Sequence, residues 1–221
     1  MASDVQENLA GSAEAPVGGN RREILDAAAN CFMERGYSTT SIDDVARRLG
    51  STKGRIYHHY PSKADLFAGV FRTAMDLNFR IVLPLTRHGG NAAERLIAMA
   101  RAHTRNMIET RAYQRAVWEG VELHLRGATT PEQRTTLAEL TRRRDAYEHL
   151  FKATLDEAGR AGDLTFDNLS IANQVMLTAL NSPIVWYSPR DAGSGETIDN
   201  LVEQVVTFAM RGLGYQGDIT S

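Results

Sequence analysis

"TTSIDDVARRLGSTKGRIYHHYPSK", residues 39–63, contains two short apolar-periodic segments, each with its own start and stop signals. In the first, Ile42, Val45, Ala46 and Leu49 share one helical face, Ser41 stands as N-cap with Asp44 three residues on, and Gly50 closes the segment. In the second, Thr52 caps a helix that must end near Tyr60, because Pro61 disfavours helical backbone in the residue before it. Two short helices joined by a tight turn at Gly50, the second rich in basic and hydrogen-bonding side chains, make a helix-turn-helix. Its second helix is sized for a major groove, where Lys or Arg suits guanine O6 and N7.

Charge is distributed to match. The 221-residue chain has a net charge of −2, yet residues 21–63 hold eight Lys/Arg against five Asp/Glu, while residues 1–20 carry Asp4, Glu7 and Glu14 and no Lys or Arg. The positive part is a compact module, and double-stranded DNA is the expected partner. Thr52, Lys53 and Arg55 stand at the start of the recognition helix, with Tyr57, His58 and His59 after them. Lys63 begins the next helix, where charge and free backbone N–H groups suit a phosphate, and Ser41 or Thr40 suits one at the start of the first short helix. Adjacent His58 and His59 point about 100° apart on a helix and do not share a metal. Tyr60 reads as a core residue of the small head.

Outward from this module, residues 1–20 read as a flexible leader, and Ile24, Leu25, Ala28, Cys31 and Phe32 form the apolar face of a helix that Gly36 stops. Ser62 and Asp65 open a long helix with Leu66, Phe67, Val70, Phe71, Ala74, Leu77 and Ile81 on one stripe. Helical patterns continue at 91–109, 112–126, 131–158, 168–187 and 196–212, so the fold class is all-α with about nine helices. The lone Cys31 forms no intrachain disulfide and reads as a small buried residue; the triple Arg142-Arg143-Arg144 reads as a solvated face. No apolar run approaches the roughly 20 residues of a membrane span, and no secretory signal opens the chain, so no membrane partner and a cytoplasmic location are expected.

Residues 22–67, with Gly36-Tyr37, Thr40, Val45-Ala46, Gly50, Gly54, Ile56-Tyr57, Tyr60, Ser62-Lys63 and Leu66, resemble the TetR family of bacterial transcriptional regulators. The resemblance implies a three-helix DNA-binding head at 21–67, a helical effector-binding and dimerisation domain at 68–221, and repression relieved by a small molecule. Ser51 departs from the apolar residue more usual in that turn. The final stretch, "VWYSPRDAGSGETIDNLVEQVVTFAMRGLG" (185–214), is similar to a branch of the family that controls fatty-acid and sterol breakdown, which makes an acyl-CoA or other lipophilic effector the leading expectation.

Val175, Leu177, Leu180, Ile184 and Val185, with Ile198, Leu201, Val202, Val205, Phe208 and Leu213, give the last two helices stripes wide enough for a core side and a partner side, hence a homodimer. For the effector, the candidates are His103 and Met107, Trp118, Glu119 and Glu122, and Asn181, Trp186 and Tyr187, polar or aromatic groups set in apolar helices. No nucleophile elbow, phosphate-cradling glycine loop or zincin motif is present, so no enzyme and no cofactor are expected. Of the cluster His103, Glu119, Glu122 and His124, the last two are two residues apart on a helix and diverge by about 200°, which argues against a metal.

Overall fold

The computed structural model describes residues 19–126, 130–188 and 197–219, without the side chains of 121–126 and 133. The helices are α1 (Gly19–Arg35), α2 (Ile42–Leu49), α3 (Lys53–His59), α4 (Lys63–Val82), α5 (Ala92–Glu109), α6 (Arg111–Arg126), α7 (Pro131–Ala161), α8 (Leu169–Asn181), α9 (Pro183–Trp186) and α10 (Ile198–Gly212). A 3-10 turn at Leu83–Arg87 follows α4, and no strand occurs among the described residues. Residues 1–18 of the expected leader lie outside the described residues, whereas Gly19 and Asn20 already belong to α1.

The head forms where its punctuation says it should. Ser41 Oγ accepts from Asp44 N and Asp44 Oδ2 accepts from Ser41 N at 3.0 Å, a reciprocal capping box. Gly50 adopts φ 63°, and the Ser51 N–H reaches back to Ala46 O at 3.0 Å, closing a Schellman-type turn that Ser51 does not disturb. Ser62 caps α4 by accepting from Asp65 N, but Asp65 takes the Ser62 hydroxyl at 2.7 Å instead of the backbone N–H, so this box is only half formed. Ile24, Phe32, Val45, Ile56 and Leu66 are buried between these helices, and Cys31 and Tyr60 are buried with them.

Helix α4 continues from the head into the body without a break, packing on α1 at its start and on α5, α6 and α7 further along. Helix α6 bridges the same junction from the other side, lying against both α1 and α4. Gly120 permits this approach, since a Cβ there would meet the Phe71 ring at 2.8 Å. Elsewhere in the body α5 packs on α7 and α10, α8 on α7 and α10, and α6 on α7.

The sequence suggests one helix over 168–187, and the structure divides it. Pro183 has no N–H for Ala179 O, which instead accepts from Ser182 N at 3.1 Å, so α8 stops and the short α9 restarts at the proline. The apolar stripes on the last helices also separate. Leu177, Leu180, Ile184, Leu201, Val202 and Leu213 are core residues, while Ile171, Val175 and Phe208 stand in solvent, Phe208 at 75% exposure.

Candidate nucleic-acid interface and ligand cavity

On the head, Thr52, Lys53, Tyr57 and His58 are exposed along α3, with His59 and Arg55 half-buried. Each cation at the start of the recognition helix already has a carboxylate partner. Lys53 Nζ lies 2.6 Å from Asp43 Oδ2, and Arg55 Nη2 donates to Glu23 Oε2 at 2.7 Å and to Asn20 Oδ1 at 2.8 Å. Such solvent-exposed pairs contribute only about 0–1 kcal/mol, so a phosphate or base edge can displace them at little cost. Ser41 is exposed at the start of α2, but the adjacent Thr40 turns inward. At 2% exposure, with its hydroxyl within 2.7 Å of Gly36 O and 3.1 Å of Cys31 O, Thr40 locks the α1–α2 loop and does not face a DNA backbone.

Lys63 is placed differently from the phosphate ligand that its position suggests. Its ammonium donates to the carbonyls of Tyr37 (2.9 Å), Ser38 (3.3 Å) and Thr40 (2.9 Å) and lies 4.5 Å from the centre of the Tyr37 ring. A cation in the first turn of a helix opposes the helix dipole, and here three carbonyl dipoles offset that cost. Glu119, expected in the effector cavity, belongs to the same junction. Its Oε1 accepts from Tyr37 N at 2.6 Å, so the Tyr37 residue is held on one side by α6 and on the other by α4. Burial raises the Tyr37 phenol's pKa, with the Glu119 charge adding to it. Close by, Tyr113 of α6 donates to Asp26 of α1 at 2.5 Å, and burial with that bond pushes its pKa well up.

The body contains a cavity of about 320 Å³ between α4, α5, α6, α7, α8 and α9. Four of the expected residues line it: His103, Met107, Trp118 and Asn181. Glu119, Trp186 and Tyr187 do not. Glu119 points to the head, Trp186 is 55% exposed at the end of α9, and Tyr187 packs on the core. The Glu122 side chain lies outside the described residues.

Asn78, Gln114, Arg144, Tyr147, Glu148, Gln174 and Thr178 supply the other polar groups of the lining; of these the sequence marks only Arg144, as part of a solvated arginine face, and its half-buried side chain turns to the cavity instead. Asn78 carried a signal, since a polar residue three after Met75 and four after Ala74 sits inside the buried stripe of α4. Asn78, Asn106 and Gln114 satisfy one another: Asn78 Oδ1 accepts from Asn106 (2.6 Å) and Gln114 (3.0 Å), and Asn78 Nδ2 donates to Gln114 Oε1 at 3.2 Å. His103 Nδ1 lies 2.8 Å from the Tyr147 hydroxyl and Nε2 3.0 Å from Asn181 Oδ1. Desolvation lowers the His103 pKa to about 4 despite the Asn181 bond, so the imidazole is neutral at pH 7. Arg144 Nε faces Glu148 Oε1 at 2.9 Å as an ion pair without hydrogen-bond alignment, and burial raises the Glu148 pKa more than Arg144 lowers it. No group of three or more metal-ligating side chains occurs among the described residues, and no described helix is long and apolar enough to cross a membrane.

A helix-turn-helix head joined by a continuous helix to an all-helical body with a cavity among its helices defines a class, the DNA-binding regulators. Residues 24–70 match the family of bacterial regulatory proteins, tetR family, and residues 89–213 match a tetracyclin repressor-like C-terminal domain. The chain belongs to the TetR family, whose members are DNA-binding regulators and not enzymes. It is 26% identical over 196 residues to the HTH-type transcriptional repressor KstR2 of Rhodococcus jostii strain RHA1, covering 88% of this chain and 91% of that one. The TetR family regulator PfmR of Thermus thermophilus superposes with a TM-score of 0.70 at 25% identity, over 86% of this chain and 98% of that one. AibR, solved in complex with isovaleryl coenzyme A and operator DNA, superposes with a TM-score of 0.68 at 26% identity, over 87% and 96%.

Proposed function

We propose that this protein is a homodimeric repressor, acting in the cytoplasm, that reads a palindromic operator and is released from it by a lipophilic effector. The head at residues 21–67 supplies Ser41, Thr52, Lys53, Arg55, Tyr57, His58 and His59 to DNA, and Lys63 holds the loop that positions them. The body at 68–221 supplies the dimer face and the effector site. Exposed Ile171, Val175 and Phe208 support the pairing, because their groove between α8 and α10 is apolar and lies away from the head helices.

The observation that carries the switching part is the path of α4. It lines the cavity with Met75 and Asn78 and begins at Lys63, which grips the head's α1–α2 loop. An effector that binds better when α4 is tilted draws the head away from its DNA spacing, and one with equal affinity for both arrangements does nothing. An acyl-CoA is the leading effector, supported by the similarity to AibR. A second reading, a compact drug-like or aromatic compound, is favoured by cavity size, since 320 Å³ is roughly the volume of ten water molecules in the liquid and a coenzyme A thioester would have to project most of its length out of it.

The test is to titrate full-length protein with acyl-CoAs and with compact aromatic compounds, following tryptophan fluorescence and operator release together. Trp118 lines the cavity, so the true effector changes its emission over the concentration range that frees the operator. A compound that saturates the fluorescence change and leaves operator binding intact is a ligand without being the inducer. If every compound behaves so, the effector reading fails.

A further inference from the structure

Besides Arg144 Nε, which faces Glu148 without hydrogen-bond alignment, the cavity wall holds a half-buried amide group with no protein partner. Asn181 Oδ1 is taken by His103, while its Nδ2 has no hydrogen-bond partner among the described residues. Trp118 and Gln174 also have uncommitted N–H groups, but both side chains are exposed and met by water. The amide orientation follows from its neighbours. Tyr147 is 3% exposed, and His103 Nδ1 is the acceptor within reach of its hydroxyl proton. With that proton donated to Nδ1, the neutral imidazole carries its own on Nε2 and gives it to Asn181 Oδ1. Turning the amide over would require a proton on Nδ1 and leave the buried Tyr147 O–H without an acceptor, a cost of about 1–3 kcal/mol. The relay Tyr147 to His103 to Asn181 therefore commits the amide oxygen to His103 and leaves two N–H donors for a cavity occupant.

The charges around the cavity then decide what kind of acceptor this is. Its ionisable lining residues besides neutral His103 are Arg144 and Glu148, which are paired with each other, and Arg144 is approached by Asp145 as well, at 3.4 Å. There is no surplus positive charge among the described lining residues, so a carboxylate drawn in would lose its hydration and gain no counter-ion. We infer that the cavity selects an apolar ligand bearing an uncharged carbonyl, with the carbonyl oxygen accepting from Asn181 Nδ2 and the hydrocarbon lying on Met75, Met107, Val117, Leu177 and Ile184. This deepens the effector reading above and rests on it for regulation, though not for binding. A free ketone or ester and the acyl end of a thioester share this chemistry; a free fatty acid does not.

The test uses full-length protein, isothermal titration calorimetry at pH 7.5, and three probes: 2-decanone, decanoate and decanoyl-CoA. The ketone binds at least about tenfold more tightly than decanoate, and Asn181→Asp, which keeps the acceptor for His103 and removes the N–H donors, weakens the ketone by about tenfold. Decanoyl-CoA binding more tightly than the ketone identifies a thioester as the carbonyl's source, and weaker binding identifies an uncoupled compound; each outcome supports the carbonyl anchor provided decanoate stays weakest. The wild-type ranking needs no variant, so a misfolded Asn181→Asp protein leaves the inference exposed to refutation. Decanoate binding as tightly as the ketone overturns it. An unaffected Asn181→Asp, or no binding by any probe, overturns it equally. The expected ranking without operator release supports the carbonyl anchor and counts against the effector reading alone.

Discussion

Replacing Lys63 with Met keeps the aliphatic stem and removes the ammonium, which separates a structural role from a phosphate contact. The ammonium bonds three carbonyls, two at 2.9 Å and one at 3.3 Å, and lies 4.5 Å from the centre of the Tyr37 ring. A hydrogen bond to a charged group contributes about 1.5–3 kcal/mol net, and a cation–π contact at an exposed site about 0.5–1 kcal/mol. Water replaces part of this once the half-buried carbonyls are freed, so the loss from Lys63→Met is about 2–4 kcal/mol. For a protein of this size that lowers the melting temperature by about 5–15 °C, and amide exchange should accelerate over residues 37–40. Thermal unfolding by circular dichroism and hydrogen exchange measure both. An unchanged melting temperature together with a log-log salt slope for DNA binding reduced by about two would refute the clip and restore a phosphate contact in each subunit.

Phe208→Glu places a charge on the exposed apolar face and should convert the dimer to a folded monomer in sedimentation velocity, the desolvation of an unpaired charge costing several kcal/mol. Leu201→Asp should instead unfold the body, because Leu201 is 9% exposed within one chain. Arg55→Ala should relax preference at one symmetric pair of operator positions by about 1–3 kcal/mol per base contact, read by binding to a panel of mutated sites. His103 is neutral in the fold with its pKa lowered to about 4, against 6.5 when free. Below pH 6.5 the unfolded chain therefore takes up a proton that the fold refuses, and stability falls by about 2 kcal/mol at pH 5 in urea titrations. His103→Gln should remove that part of the pH dependence.

The head was legible because its information is local. Ser41, Gly50, Thr52 and Pro61 mark helix ends through their own backbone chemistry, and the structure puts the boundaries of α2 and α3 where those residues require. What local chemistry does not encode is which way a side chain faces when a helix has two partners. Trp118 and Glu119 are neighbours on α6, yet one lines the cavity and the other grips Tyr37, since α6 lies against the head on one side and the body on another. Thr40 and Ser41 differ in the same way, one turned to Cys31 and the other to solvent. The apolar stripes of the last two helices pointed to a core side and a partner side without saying that Leu201 takes the first and Phe208 the second. Asn78 and Gln114 were missed because paired amides satisfy each other only once α4 and α6 are brought together.

The central claim is that two identical heads on one dimer read DNA. Selecting binding sites for the full-length protein from a random duplex pool tests it most directly. Two inverted half-sites, with centres about one helical turn or a small multiple of it apart, are the expected product, and their enrichment should be lost in the monomeric Phe208→Glu variant. A single asymmetric site bound equally well by that variant, or no enrichment over repeated rounds, would contradict the account.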